Sequence, residues 1–488
     1  MEVFTDTFVP TELADWWFRS QPCPACSAES LRPVANLGAT QWLCASCGRC
    51  WLPTHGYLRA VDPWTLFNHF WHRIEQGPKE IWTFLDRGIA QAQVRASQAR
   101  WEQGKALGSL DGIPVAVKDM IDVQGLPTTA ASATRRHALP ALHDAPIVAL
   151  LRAQGAILMG KTNLSEFAFS GLGINPHFGT PTLRNAEGQE CAPGGSSSGG
   201  ALALAHGMVS LALGTDTSGS VRVPCAWNGL VGLRPSASRY PHGGVLPLAP
   251  ALDVCGPMAR SVADVIWLDA VLAGSGQPTA DRAVSSGTPK LWVVEGLWQQ
   301  DLDAQVERAF EDGLSRLQQC GWVIERRPQA TMEAVMDLQA REGMLVSAQA
   351  ARVHADLLRN PKALALVHAP VRERLLQAQA LPAQAEDRLL EARAVLREQW
   401  KAEVGLQTLV VIPTTAGVAP LMSPLLAGGG AFSQANFRAL RNTLPSSFLD
   451  APSITLPLPG TRNPRLTERM STLPYSVSAC GSRRSKRR

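Results

Sequence analysis

No apolar run in this 488-residue chain reaches the ~18–20 residues that a bilayer span requires, because Gly and His interrupt Ala201–Leu213. The N-terminus, MEVFTDTFVPTELADWW, has neither a basic flank nor a continuous apolar stretch, so a signal peptide is excluded and the cytoplasm is the expected compartment. Internal repeats and long low-complexity linkers are also missing. A disulfide framework is excluded by position: five of the ten cysteines crowd into Cys23–Cys50, and the rest stand singly at 191, 225, 255, 320 and 480. A broad basic face is absent as well. The net charge is +5, and Arg483, Arg484, Lys486, Arg487 and Arg488 account for all of it. Neither a membrane nor nucleic acid is therefore an expected partner. No HExxH and no SxxK occurs anywhere, which removes two common routes to hydrolysis.

What is present is ordinary globular material, with 45% hydrophobic and 18% charged residues. The length suits one large catalytic body with an appendage. Residues 1–56 read as that appendage. CPAC (Cys23, Cys26) and CASCG (Cys44, Cys47) lie 17 residues apart, the spacing of a four-thiolate zinc ribbon. Each C-x-x-C wraps a tight turn around one edge of a tetrahedral metal, and Cys50 repeats the interval as an alternative ligand. Closed four-cysteine sites are structural, so the zinc is assigned no catalytic task. With only Arg32 and Arg49 as basic residues in Cys23–Cys50, the ribbon reads as a protein or homodimer contact.

Residues 57–105 read as a helical lead-in, whose Phe67, Phe70, Trp71 and Ile74 mark a packed helix face rather than a binding platform. The main body, 106–488, alternates strands and helices: Ile113–Val117 as a strand, Val148–Gly155 as a helix and Ala156–Met159 as a strand. Further on, Val262–Leu272 and Asp303–Cys320 read as helices, 289–296 and Gly321–Glu325 as strands, and 330–405 as two or three helices. Leu409–Ile412 and Ser453–Leu458 supply late strands, and the stretch from about 476 reads as an irregular basic tail. The strand–helix–strand order predicts an α/β layered fold.

The chemistry concentrates in Pro193–Pro224, where two Gly/Ser clusters, Gly194–Gly200 and Gly214–Gly219, bracket an apolar segment with helix-like Ala201–His206. Gly-dense turns allow close backbone approach and aim N–H groups at a ligand. Ser196 and Ser220 lie 24 positions apart across that segment. Two literal motifs compete and fail. The G-x-S-x-G centred on Ser197 follows Gln189–Pro193, which does not read as the strand that a nucleophile elbow needs. The Walker-like GAILMGKT, Gly155–Thr162, has four apolar middle residues that read as a strand and not as a phosphate loop. Upstream, the Ile113–Val117 strand ends at Lys118. That lysine is either a snorkelling surface residue or a desolvated base; the segment alone leaves both open.

From about Leu107 to Leu272 the blocks GIPVAVKD, GLPTTAAS, GKTNLSEFAF, NPHFGTP, PGGSSSGG, GTDTSGSVRVPCAWNGLVGLRPS and LDVCGPMARSVAD occur in order, and together they resemble the amidase-signature family. The resemblance implies an α/β fold with a mixed central sheet flanked by helices on both faces, and hydrolysis of a carboxylic amide by a Ser-cisSer-Lys triad through an acyl-enzyme, with no cofactor for catalysis. By position, Ser220 is the nucleophile, Ser196 the bridging serine on a cis peptide bond, and Lys118 the base. Oxyanion donors are the backbone N–H groups of Thr217, Ser218, Gly219 and Ser220, with Ser218 replacing the commoner Gly. Asp216 and Arg222 are supports rather than reactants. Substrate walls are expected in 325–450 and near 132–142. The partner is a small-molecule amide; the alternative is a weakly active or non-catalytic subunit of a larger complex, including an amidotransferase-type glutaminase subunit.

Overall fold

The structure is a computed structural model that describes residues 31–36, 39–44, 50–51, 62–276, 290–405, 407–427, 430–458 and 476–480. Its centre is an eleven-stranded mixed sheet. Across it the order is Ile324–Arg327, Lys290–Val294, Thr408–Pro413, Ser476–Cys480, Ser453–Pro457, Val231–Arg234, Val254–Ala259, Leu211–Asp216, Pro114–Lys118, Ile157–Thr162 and Trp82–Leu85. Pro114–Lys118 runs parallel to both neighbours, with Val115 opposite Leu211 and Leu158. All five of its residues are buried, as expected of a strand covered on both faces. That parallel register brings Lys118 to the same end of the sheet as Thr215 and Asp216, the carboxyl end, where loops can assemble a site.

The helix Ser198–Ala205 (SGGALALA) carries no polar side chain beyond its first residue and is buried along almost its whole length. Gly199 permits that depth. A Cβ there would lie 2.4 Å from the Ile81 carbonyl oxygen and 2.6 Å from the Asn163 nitrogen. One apolar core joins this helix and the strands to Leu66, Phe67, Phe70, Trp71 and Ile74, the buried face of the helix Pro63–Gln76. Asp62 caps that helix by accepting from the Trp64 and Thr65 N–H groups. The tryptophans at 71 and 82 are core residues, in line with the packing reading.

Several elements differ from the sequence reading. The lead-in is not wholly helical, because Trp82–Leu85 forms the edge strand beside Ile157–Thr162. Leu211–Asp216, Val231–Arg234 and Val254–Ala259 are strands that the sequence reading did not assign. Glu190–Cys191 pairs with Leu183–Arg184 as a two-residue ladder, so this stretch does contain a strand. Residues 330–405 hold six helices instead of two or three. Ser476–Cys480 is not irregular tail but a strand seated between Thr408–Pro413 and Ser453–Pro457. Its short polar sequence is held by ladder bonds on both edges, which its side chains do not announce.

Toward the N-terminus, Leu31–Asn36, Ala39–Cys44 and Cys50–Trp51 form a separate three-stranded antiparallel sheet. Of the proposed zinc ligands, Cys44 ends the second strand, while Cys23, Cys26 and Cys47 lie outside the described residues. Among the described residues, no helix is long and apolar enough to cross a membrane.

Candidate active site

Lys118 leaves its strand fully buried. Its Nζ donates to Ser196 Oγ at 2.7 Å, to Thr215 Oγ1 at 2.7 Å and to the Thr215 carbonyl oxygen at 3.4 Å. Burial lowers its pKa to about 7, against the opposing pull of Asp216, Asp253 and Cys255. The snorkelling alternative is therefore excluded. The Gly195–Ser196 peptide bond is cis, and of the three adjacent serines only Ser196 meets the lysine. Ser197 Oγ donates to the Thr215 carbonyl oxygen at 3.3 Å, and Ser198 Oγ is buried without a partner.

Ser220 sits on the turn after Leu211–Asp216, almost buried. Its carbonyl oxygen accepts from the Ser197 N–H at 3.1 Å, which ties the two serine loops together through the backbone. The Asp216 carboxylate organises that turn. Its Oδ1 accepts from the Gly219 N–H at 2.8 Å and from Arg222 at 3.0 Å, and its Oδ2 accepts from the Val221 N–H at 3.1 Å. Burial works against this charge, but Arg222, Arg234 and the Val221 N–H outweigh it and hold the carboxyl well below the usual carboxylate range. Asp216 and Arg222 thus shape the turn. Gly219, expected as an oxyanion donor, gives its N–H to Asp216, so the four-donor expectation is corrected. The N–H groups of Thr217, Ser218 and Ser220 form no hydrogen bond among the described residues.

The turn also leans on a distant segment that the sequence reading missed. Arg222 donates to the Thr443 carbonyl oxygen at 3.1 Å and to the Ser446 and Ser447 hydroxyls at 2.6 Å each. Thr443 Oγ1 donates to the Ser218 carbonyl oxygen at 2.5 Å. Gly219 has φ +140°, and a Cβ there would meet Thr443 Oγ1 at 2.2 Å. Gly219→Ala is expected to cost about 1–3 kcal/mol through this overlap. It should lower kcat far more than it raises KM, because it displaces the Ser218 and Ser220 N–H groups; thermal melting and steady-state kinetics check both effects.

Two more residues were missed. Thr215 gives Lys118 its second hydroxyl partner, and Asp253 accepts from Thr217 Oγ1 at 2.6 Å. The literal Walker lysine, Lys161, is spoken for: its Nζ lies 2.8 Å from Asp119 and donates to the Pro127 carbonyl oxygen and Thr128 Oγ1 at 3.1 Å. It braces the loop after Lys118 and holds no phosphate. Beside the site opens a cavity of about 420 Å³, whose wall includes Thr215, Thr217, Ala168 and the segment 235–255. None of its lining residues falls in 325–450 or 132–142, where walls had been expected.

The geometry has close counterparts. A family model described as amidase matches residues 65–486. A 2-amino-5-chloromuconic acid deaminase from Comamonas testosteroni is 34% identical over 384 residues, covering 76% of this chain and 80% of that protein. A mandelamide hydrolase from Pseudomonas putida is 40% identical over 245 residues, about half of each chain (50% and 47%). The crystal structure of an amidase superposes with a TM-score of 0.75 at 29% identity, covering 88% of this chain and 94% of the other. With a matching family model over most of its length and an amide-hydrolase fold around a buried lysine and paired serines, this chain belongs to the amidase family and is an amide hydrolase.

Proposed function

We propose that Ser220 attacks the carboxylic amide, Ser196 relays its proton, and Lys118 is the base that receives it. The observation that carries this reading is the 2.7 Å contact between Lys118 Nζ and Ser196 Oγ in a fully buried setting. A neutral amine has two N–H donors and one lone pair. When the amine loses its proton, the Thr215 hydroxyl and carbonyl oxygens keep the two donors, and the contact to Ser196 reverses so that the Ser196 hydroxyl donates to the lone pair. As Ser220 Oγ bonds to the amide carbon, its proton moves to Ser196 and the Ser196 proton moves to Lys118. The developing oxyanion faces the Thr217, Ser218 and Ser220 N–H groups. The relay then reverses to protonate the leaving nitrogen, the C–N bond breaks, and water releases the acyl group by the same path. No hydrogen bond joins the two serine hydroxyls in this structure; such contacts commonly tighten once substrate is bound.

Two relatives are named for the molecules they act on, an amino-substituted muconic acid and mandelamide. Other relatives are amidotransferase A subunits, and the second reading is a subunit of such an assembly. Ammonia release from a panel of primary amides by the full chain tests the reading. Turnover that disappears in Ser220→Ala supports it, and a folded protein inert toward every amide and toward serine-directed probes overturns it.

For the domains we retain residues 1–56 as a zinc ribbon, 57–105 as the lead-in and 106–488 as the catalytic body, in the cytoplasm, with the ribbon as a protein or homodimer contact. The small sheet supports the ribbon. Leu43 pairs with Cys50 and Leu31 pairs with Cys44, so two cysteines of this stretch lie on neighbouring strands. A zinc held by four thiolates would supply folding energy to so small a unit. Elemental analysis should find about one zinc per chain, reduced in Cys23→Ser. Wild type without stoichiometric metal would retire the ribbon.

A further inference from the structure

The helix Gly430–Leu440 buries Phe432, Asn436 and Ala439. Their spacing is that of one helix face, so an amide stands where an apolar stripe would place another hydrocarbon. A buried amide needs partners. Asn436 Oδ1 accepts from the Gly171 N–H at 2.7 Å and from Ser170 Oγ at 3.1 Å. The carbonyl oxygen of the same Gly171 accepts from the Gly195 N–H at 2.8 Å. On the other side of the Gly195–Ser196 peptide, the Ser196 carbonyl oxygen accepts from the Ser165 N–H at 3.2 Å. The unit that carries the relay hydroxyl is thus held before and behind by one loop, residues 165–173. The two pack closely: a Cβ on Gly195 would lie 2.7 Å from Ser165 Oγ.

That loop is closed on itself, so a shift at one end is passed to the other. Ser165 Oγ donates to the Ser170 carbonyl oxygen at 2.9 Å and accepts from the Gly173 N–H at 3.1 Å, and the Ala168 N–H donates to the Ser165 carbonyl oxygen at 2.8 Å. Two other grips fall earlier in the loop. The His368 N–H donates to Glu166 Oε2 at 2.7 Å, and Arg374 donates to the Phe169 carbonyl oxygen. Asn436 instead holds the Gly171 residue that itself bonds Gly195. Resting on the relay reading above, we propose that Asn436 is a positioning residue for the reaction: through Gly171 it fixes Gly195, and so sets the Ser196 hydroxyl where it can pass a proton between Ser220 and Lys118. Its side chain is not part of the cavity wall, so it acts on alignment and not on substrate contact. A misplacement of about 1 Å in a reacting group costs up to about a hundredfold in rate.

The test uses the full chain and a fluorophosphonate, whose reaction with Ser220 draws on the same proton relay whatever the natural amide is. Saturation kinetics give a maximal labelling rate and a half-saturating concentration, and the labelled fraction at completion measures the folded sites. Asn436→Leu, close in volume but without an acceptor, should lower the maximal rate at least about tenfold. It should move the half-saturating concentration less than about threefold and still reach the wild-type labelled fraction. Asn436→Asp keeps an oxygen that accepts from both donors and should return the rate to within about threefold of wild type. A purely structural role would change the labelled fraction and leave the rate of the labelled sites alone. An unchanged maximal rate in Asn436→Leu overturns the proposal, as does an Asn436→Asp variant as slow as Asn436→Leu. Should Asn436→Leu fail to fold, Asn436→Ser, whose hydroxyl is too short to meet both donors, carries the same expectations. Folded wild type that stays unlabelled removes the relay reading and this inference with it. Labelled wild type beside an equally fast Asn436→Leu removes this inference alone.

Discussion

Ser220→Ala should abolish covalent labelling by a fluorophosphonate and lower kcat/KM at least about 10⁴-fold, while leaving the fold intact. The loss is large because the residue forms the bond to carbon; no neighbour offers a substitute. Ser197 and Ser198 are the obvious rivals, but neither meets Lys118, and Ser197 Oγ is bonded to the Thr215 carbonyl oxygen. The Cys255 thiol, pushed up to about 12 by burial, is protonated and unreactive at any working pH. The fold survives because alanine removes only an Oγ that forms no hydrogen bond among the described residues. The backbone bond from the Ser197 N–H to the Ser220 carbonyl and the Asp216 bonds to the turn all remain. Mass spectrometry of the labelled protein, with circular dichroism of both forms, reads the two effects separately. Wild type that stays folded and unlabelled, or a variant that still labels, removes Ser220 as nucleophile.

The triad candidates were legible only through the ordered blocks that resemble the amidase-signature family; read alone, the strand before Lys118 left that lysine open between a snorkelling cation and a desolvated base. The supports of the triad were not legible. Arg222 meets Ser447 across 225 positions and Thr443 across 221, and no local pattern announces such pairings. Thr215 lies within the Gly214–Gly219 cluster, but a linear pattern does not say which of its side chains turns toward Lys118. Strands were lost for a different reason. Gly214 and Gly256 face each other in neighbouring strands, and Gly232 lies one strand further across the sheet. In a linear reading glycine signals a turn, yet here it makes room: a Cβ on Gly232 would lie 2.7 Å from Cys225 Sγ, on the helix packed above. Bulk was excluded so that Arg222–Trp227 could approach the sheet, and the same exclusion erased the β-branched signature that strands usually carry. The cavity wall at 235–255 is rich in proline and glycine and carries no periodic pattern, and such a sequence does not say what it covers.

Lys118→Met is the second large effect: kcat/KM should fall at least about 10³-fold, and the pH dependence identifies why. With an ordinary lysine pKa, only about 0.03% of the side chain would be neutral at pH 7. Burial lowers the value to about 7, so half of the enzyme holds a usable lone pair there. Wild-type activity should therefore climb as pH rises through about 7 and level off above it. The residual activity of the methionine variant should lack that limb. Stability gives an independent check with a defined sign. Between the folded value near 7 and the unfolded value of 10.5, the unfolded chain binds the extra proton, so this group makes the fold more stable as pH rises across that window. Below the window, folding must bury the charged ammonium, and the penalty is complete. Methionine carries no proton, so the variant should lose this pH-dependent rise in denaturant unfolding while keeping a similar length and volume in the buried slot. The Asp216 and Asp253 carboxylates, which pull the lysine pKa upward, are left in place by this substitution and cannot account for the change. An acid limb that persists in Lys118→Met would assign the titration to another group and leave Ser196 without its base.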